Sequence, residues 1–234
     1  MLTIIIPVYN EINTIEKILD KIDKVNFISK EIIIVDDGST DGTENLIKKK
    51  LLKRATKVIF HKKNQGKGSA IKSAKSFING DFVIIQDADL EYDPNDYQKL
   101  LNPIIENRFK VVYGSRVLGK ARYSHSINFT SLSRIFFNHI LTIFSNFINN
   151  QNLTDAHTCY KVFKTEIFNK INLVEKGFSF CPEITSKVSR LNLQIKEIAI
   201  NYNGRTKSEG KKIGIKDGFG AIYTLIKYGL FKLD

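Results

Sequence analysis

Asp87 and Asp89 are the residues whose type and spacing carry the most chemistry. They stand in Gln86-Asp87-Ala88-Asp89-Leu90-Glu91, directly after the apolar run Phe82-Val83-Ile84-Ile85. A buried strand ending in D-x-D presents residues two apart on one face, so two carboxylates reach one spot. Held that close they repel unless a cation lies between them. Mg²⁺ or Mn²⁺ suits the place, because such hard cations are held by one or two carboxylates plus phosphate oxygens. Glu91 is placed to add a third oxygen. The expected occupant is a metal-bound diphosphate at the carboxyl end of a strand, where open α/β sheets hold ligands. Alone the pair is weak, since Asp is also a turn residue.

Four more clusters lie where β-rich runs give way to polar residues: Pro7-Val8-Tyr9-Asn10-Glu11, Asp36-Asp37-Gly38-Ser39-Thr40-Asp41-Gly42-Thr43, Asn64-Gln65-Gly66-Lys67-Gly68 and Gly114-Ser115-Arg116. The strands expected to position them are Leu2–Val8, Glu31–Val35, Lys57–Phe60, Asp81–Ile85 and Lys110–Tyr113. Between them apolar residues recur at helical spacing: Ile12, Ile15, Leu19, Ile22; Ala70, Ile71, Ala74, Phe77, Ile78; Tyr97, Leu100, Leu101, Ile104. Strand–helix alternation with near-continuous apolar strands predicts a parallel sheet covered by helices. All five clusters then fall on one sheet edge.

The alternation stops after residue 115. Residues 116–126 read as a polar loop and 127–149 as a long helix, apolar on most of its circumference. That helix is either a buried core helix or one facing lipid or acceptor. Short β-like stretches, Thr158–Phe163 and Gln194–Tyr202, flank a helix near Pro182–Leu191. A Gly- and Lys-rich loop over 204–214 leads into an amphipathic helix over roughly 216–231. No repeat or low-complexity linker divides the chain, so one unit spanning 1–234 is expected.

The 234 residues can bury a substantial core. Their 42% hydrophobic and 26% charged content excludes a disordered chain. Lys and Arg number 36 against 24 Asp and Glu, a formal +12 that favours anionic partners. Runs such as Lys48-Lys49-Lys50 read by default as solvated helix faces. Cys159 and Cys181 lack metal spacing and suit a reducing, cytoplasmic compartment. No apolar run reaches the ~18 residues of a membrane span. His61, His125, His139 and His157 show no metal-ligand spacing.

Taken together, the motifs resemble the family 2 glycosyltransferases of the GT-A fold, and within them the dolichyl-phosphate mannose or glucose synthase group. The resemblance covers nearly the whole chain. The four motifs P-V-Y-N-E, D-D-G-S-T-D-G-T, N-x-G-K-G and D-A-D are specific jointly, though weak singly. Gly177-Phe178-Ser179-Phe180-Cys181-Pro182-Glu183 and Tyr202-x-Gly204-Arg205-Thr206-x-x-Glu209-Gly210-Lys211-Lys212-Ile213 narrow it to the polyprenyl-phosphate branch. It implies an α/β GT-A fold, Rossmann-like and three-layered, with a mostly parallel central sheet. Residues 1–115 would be the nucleotide-sugar-binding half and 116–234 the acceptor-binding half with its C-terminal amphipathic helix.

The resemblance also implies roles. Pro7, Tyr9, Glu11 and Asp36 would bind the nucleoside, and Asp37 is assigned to the ligand with Asp36; carboxylates past a strand end can accept from ribose hydroxyls or a base edge. Asp41 reads instead as turn or capping chemistry. Gly66 and Gly68 would let the backbone approach the phosphates, with Lys67 as a cation beside them. Asp87 and Asp89 would ligate Mg²⁺ or Mn²⁺. The lipid-phosphate members often carry Gln where Glu91 stands, so the third ligand stays open. Arg116 would grip the acceptor phosphate through parallel hydrogen bonds, with Arg134 as a second basic group. Arg205, Lys207, Lys211 and Lys212 would close over the diphosphate. Glu183 is kept as a candidate base, although an anionic phosphate acceptor needs none.

The expected reaction is single-step inverting transfer of a hexose from GDP-mannose or UDP-glucose to polyprenyl or dolichyl monophosphate. The partners are that donor, that acceptor, and a membrane surface or separate membrane subunit; no nucleic acid is expected. The expected place is cytoplasmic, peripheral on the membrane face. The rivals are transfer to a sugar or polysaccharide hydroxyl and, in a different class, a nucleic-acid-binding module. The latter predicts a basic stripe with stacking aromatics, whereas the basic residues here are spread among acidic motifs. The lack of Trp for a Q-x-x-R-W motif argues against a processive synthase.

Overall fold

The Ile- and Val-rich runs form the centre of a seven-stranded sheet of order β3-β2-β1-β4-β6-β5-β7 in the computed structural model. The structure describes residues 1–119, 129–205 and 215–231. In chain order the elements are β1 (Leu2–Val8), α1 (Ile15–Asp23), β2 (Lys30–Asp36), α2 (Thr43–Leu46), β3 (Lys57–Phe60), α3 (Lys67–Ala74), β4 (Phe82–Ile85), α4 (Tyr97–Ile105) and β5 (Val111–Ser115). There follow α5 (Phe129–Asn149), β6 (Lys161–Lys164), α6 (Thr165–Lys170), α7 (Phe180–Arg190), β7 (Ile195–Ala199) and α8 (Ile215–Leu225).

Ile4, Ile5 and Ile6 are all fully buried. Successive strand residues face opposite sides, so both faces of β1 are covered, as a three-layer α/β/α arrangement requires. One helix, α3, packs on β1 and β2, and α4 packs on β5 and β6. Every pairing is parallel except those of β6, which runs antiparallel between β4 and β5. The mostly parallel sheet expected from the sequence is therefore observed.

Chain order fixes where a ligand can sit. From β1 the chain moves outward through β2 and β3, then returns to place β4 on the other side of β1. The loops after β1 and β4 diverge at that switch point, which opens a crevice at the carboxyl ends of the strands.

Several local expectations change. Ile12 precedes α1 and is exposed, because the chain is still turning at Thr14. Of Thr158–Phe163 only the last part joins β6, and α7 begins at Phe180, before Pro182. Proline fits in a first turn, where its missing N–H costs nothing. The last helix ends in a π-turn over Ile226–Leu230.

Outward faces of α5 and α8 stay apolar. Phe136, Phe137, Ile140, Ile143 and Phe147 are exposed on α5, with Phe219 and Tyr223 on α8 and Leu230 and Phe231 beyond it. The two helices pack together and against α7. Among the described residues, no helix is long and apolar enough to cross a membrane.

Candidate active site

At the switch point a cluster of carboxylates meets two basic side chains. The turn carrying Asp87 and Asp89 starts only after β4 has ended at Ile85. Their convergence therefore comes from the turn, not from strand alternation. Gln86 pins that turn from below: its Oε1 accepts from Tyr97 and Tyr160 at 2.7 and 2.6 Å. Leu90 adopts a left-handed φ of 66°, uncommon for a branched side chain, and the Glu91 N–H closes the turn onto Asp89 Oδ1 at 3.1 Å.

Asp87 pairs with Lys67, whose ammonium also lies over the Phe180 ring. Burial works against that charge, but Asp87 overrides it and pushes the Lys67 pKa up. Asp89 Oδ2 lies 3.1 Å from the Arg205 guanidinium. The same guanidinium makes two bonds of 3.1 Å to Glu11 and stands 3.8 Å from Glu91. Burial, then repulsion from Asp87 and Glu91, raises the Asp89 pKa to about 7. Four carboxylates thus share two cations.

That surplus of hard, anionic oxygen fits a divalent cation. Among the described residues, no three His, Cys, Asp or Glu side chains already form a cage. Asp87 and Asp89 would hold such an ion, with phosphate oxygens completing its shell. Glu91, expected as a third ligand, has both oxygens engaged: Oε2 accepts from Tyr202 at 2.6 Å and Oε1 from the Arg205 N–H at 2.7 Å. Its observed work is to hold residues 202–205 over the site.

Around the carboxylates, the loops after β1 and β2 are stitched together. The Asn10 N–H donates to Ser39 Oγ, and the Glu11 N–H to Thr43 Oγ1. Pro7 and Tyr9 lie half-buried on this edge. Asp36 is fully buried, accepts from Ser39 Oγ at 2.5 Å, and has its pKa raised by burial. Asp37 accepts from the Gln65 and Gly66 N–H groups and from His61, which orders the 64–66 loop. Asp41 caps the turn at Thr43, as its turn reading anticipates.

Gly66 and Gly68 are also crowded by the chain itself. A Cβ on Gly66 would stand 2.5 Å from the Lys176 carbonyl oxygen, and one on Gly68 2.1 Å from that of Glu175. What comes close is the 175–177 backbone of the chain itself. Gly66 also needs its positive φ of 95°.

Arg116 follows the end of β5. It is locked to Asp155, with Nε to Oδ2 at 2.7 Å and Nη2 to Oδ1 at 2.8 Å, and lies over the Tyr202 ring. Burial opposes both charges, yet each partner holds the other ionised. Glu197 fixes this loop in turn by accepting from the Thr154 and Asp155 N–H groups. Asp155, Glu197 and Tyr202 were not among the expected site residues; the sequence signals are a polar Thr154-Asp155 before β6 and, for Tyr202, its place at the head of the motif that contains Arg205.

Glu183 lies in the first turn of α7. It is fully buried, pairs with Lys187 at 2.9 Å and accepts from the Val174 and Glu175 N–H groups. The carboxylate orders the 174–175 loop, and these partners engage both of its oxygens. His61 is structural, bridging Asp37 and Ser73. The side chain of Arg134, and Lys207, Lys211, Lys212 and His125, lie outside the described residues.

A mostly parallel sheet with acidic and basic groups converging at its switch point is the architecture of a GT-A nucleotide-sugar transferase. Residues 3–171 match the family model of Glycosyl transferase family 2. The chain belongs to that family and is a glycosyltransferase. Among curated proteins it is 28% identical to a dolichyl-phosphate beta-glucosyltransferase of Dictyostelium discoideum, over 91% of this chain and 68% of that protein. It is 26% identical to a UDP-N-acetylglucosamine–dolichyl-phosphate N-acetylglucosaminyltransferase of Methanococcus voltae, over 100% and 98% of the two chains. Among solved structures, glucosyl-3-phosphoglycerate synthase from Mycobacterium tuberculosis, in complex with Mn²⁺, UDP and phosphoglyceric acid, superposes with a TM-score of 0.70. That match has 17% identity and covers 97% of this chain and 78% of that one. At that identity the likeness concerns the fold.

Proposed function

We propose that this glycosyltransferase moves a hexose from GDP-mannose or UDP-glucose to a polyprenyl monophosphate, in one inverting step that depends on Mg²⁺ or Mn²⁺. One observation carries the reading: Asp87 and Asp89 converge with Lys67 and Arg205 at the switch point, while Arg116 presents a second cationic centre beside them. The first centre suits a leaving diphosphate and the second an attacking phosphate. The dolichyl-phosphate relatives support the same acceptor class.

The nucleoside is assigned to the edge formed by Pro7, Tyr9, Glu11 and the turn over Asp36 and Asp37. A divalent cation held by Asp87 and Asp89 neutralises the departing diphosphate when bound. Lys67 and Arg205 donate hydrogen bonds to the same oxygens as charge develops. Asp155 holds Arg116 in one orientation, so its remaining N–H groups steer the acceptor phosphate. That phosphate attacks with its own lone pair and requires no proton acceptor. Arg134 and Lys211 are assigned to the acceptor and the diphosphate on the family pattern. The apolar faces of α5 and α8 suit a membrane surface carrying the lipid acceptor, and the formal +12 suits anionic headgroups.

Transfer of radiolabel from GDP-mannose and UDP-glucose to a short polyprenyl phosphate tests the reading. Label should enter the lipid fraction with Mg²⁺ or Mn²⁺, vanish with EDTA, and be lost in Asp89→Ala. Nucleotide binding without lipid labelling would overturn the acceptor assignment in favour of a sugar hydroxyl.

A further inference from the structure

We infer that Lys67 and Arg205 are exchangeable counter-ions seated on the metal-ligating carboxylates, so that a divalent cation binds tightly only together with a nucleoside diphosphate that takes them over. This rests on the metal-dependent reading above and specifies the order in which its ligands bind.

Each carboxylate of the D-x-D already holds a basic side chain: Lys67 on Asp87, and Arg205 on Asp89 at 3.1 Å. The same guanidinium makes two 3.1 Å bonds to Glu11. All of these groups are largely shielded from water. A buried charge that loses its partner is strongly destabilised. A bare divalent ion arriving at Asp87 and Asp89 would strip the anions from two cations and place new positive charge beside them. An ion arriving with a diphosphate avoids both costs, because the phosphate oxygens accept from Lys67 and Arg205 as the carboxylates turn to the metal.

Arg205 is built for such a change of partner. Its main chain is anchored, with the N–H on Glu91 and Tyr202 holding the same carboxylate. Its Nε is buried without a hydrogen-bond partner among the described residues, a donor that an incoming phosphate oxygen would satisfy. The guanidinium can therefore move while the backbone stays.

Metal and nucleotide affinities must then be linked, each raising the other by the same factor. Free Mn²⁺ is counted by electron paramagnetic resonance with the full chain, with and without UDP or GDP, against a protein-free nucleotide control. Wild-type protein should bind Mn²⁺ weakly alone and about tenfold or more tightly with nucleotide. Arg205→Ala should bind Mn²⁺ more tightly than wild type without nucleotide, and its gain on adding nucleotide should shrink. Equal or weaker nucleotide-free binding by Arg205→Ala, with nucleotide-supported binding intact in both proteins, overturns the exchange and leaves the proposed function standing. Absence of Mn²⁺ binding to wild type with either nucleotide overturns both. Lys67→Met gives the same comparison should Arg205→Ala fail to fold, as circular dichroism would reveal.

Discussion

Arg116 and Asp155, 39 residues apart in sequence, form a two-pronged ion pair at 2.7 and 2.8 Å just past the end of β5. A third bond runs from the Arg116 N–H to the same carboxylate at 3.1 Å. The carboxylate thus sets both the side chain and the backbone of Arg116 where β5 ends.

Asp155→Ala leaves a buried guanidinium unpaired, and losses of about 3–5 kcal/mol are typical of such breaks. Denaturant unfolding should show that loss. Asp155→Asn keeps the shape but surrenders the charge. In kinetics it should raise the KM for the lipid phosphate more than that for the donor; an equal rise in both would refute a positioning role for Asp155.

Glu183→Gln separates a structural from a catalytic carboxylate. Loss of the buried pair with Lys187 and of charge-assisted bonds to residues 174 and 175 should lower Tm, with a stability cost of about 2–3 kcal/mol. At temperatures where the variant is folded, kcat should stay within a few-fold of wild type. A fall of about 10²-fold in a folded variant, the scale of a lost general base, would contradict the assignment.

Gly68→Ala tests why glycine stands in the loop after β3. Its new methyl would stand 2.1 Å from a main-chain oxygen, so the 175–177 backbone must shift. Overpacking of this kind costs about 3 kcal/mol. Thermal unfolding should register it even without nucleotide. Unchanged stability with weakened nucleotide binding would return the glycine to the phosphates.

His157 makes stability depend on acid. Burial, and then Lys161, push its pKa from 6.5 down to about 4. Between those values the unfolded chain binds a proton that the folded chain refuses, so this contribution is complete above pH 6.5 and drains away toward pH 4. Relative to His157→Gln, the wild type should lose roughly 2–3 kcal/mol over that window in urea titrations. Parallel pH dependence in the two proteins would exclude His157 as the source.

The sequence by itself determined the scaffold and the chemistry it carries. β1 to β5 are legible because strands covered on both faces must be apolar at every position, so runs such as Ile4-Ile5-Ile6 declare themselves. The clusters around Glu11, Asp37, Lys67, Asp89 and Arg116 sit after those strands, and parallel pairing brings strand ends to one edge. Only the tertiary structure decided what each charge faces. β6 inserts antiparallel between β4 and β5, and this carries Asp155 to Arg116. A fold-back of the chain brings Arg205 to Glu11, 194 residues away. Glu183 is fully buried, which no local pattern records, because the burial of a helix position is set by everything packed around it. Local patterns record which face of an element is apolar; they do not record which distant charge arrives to meet it.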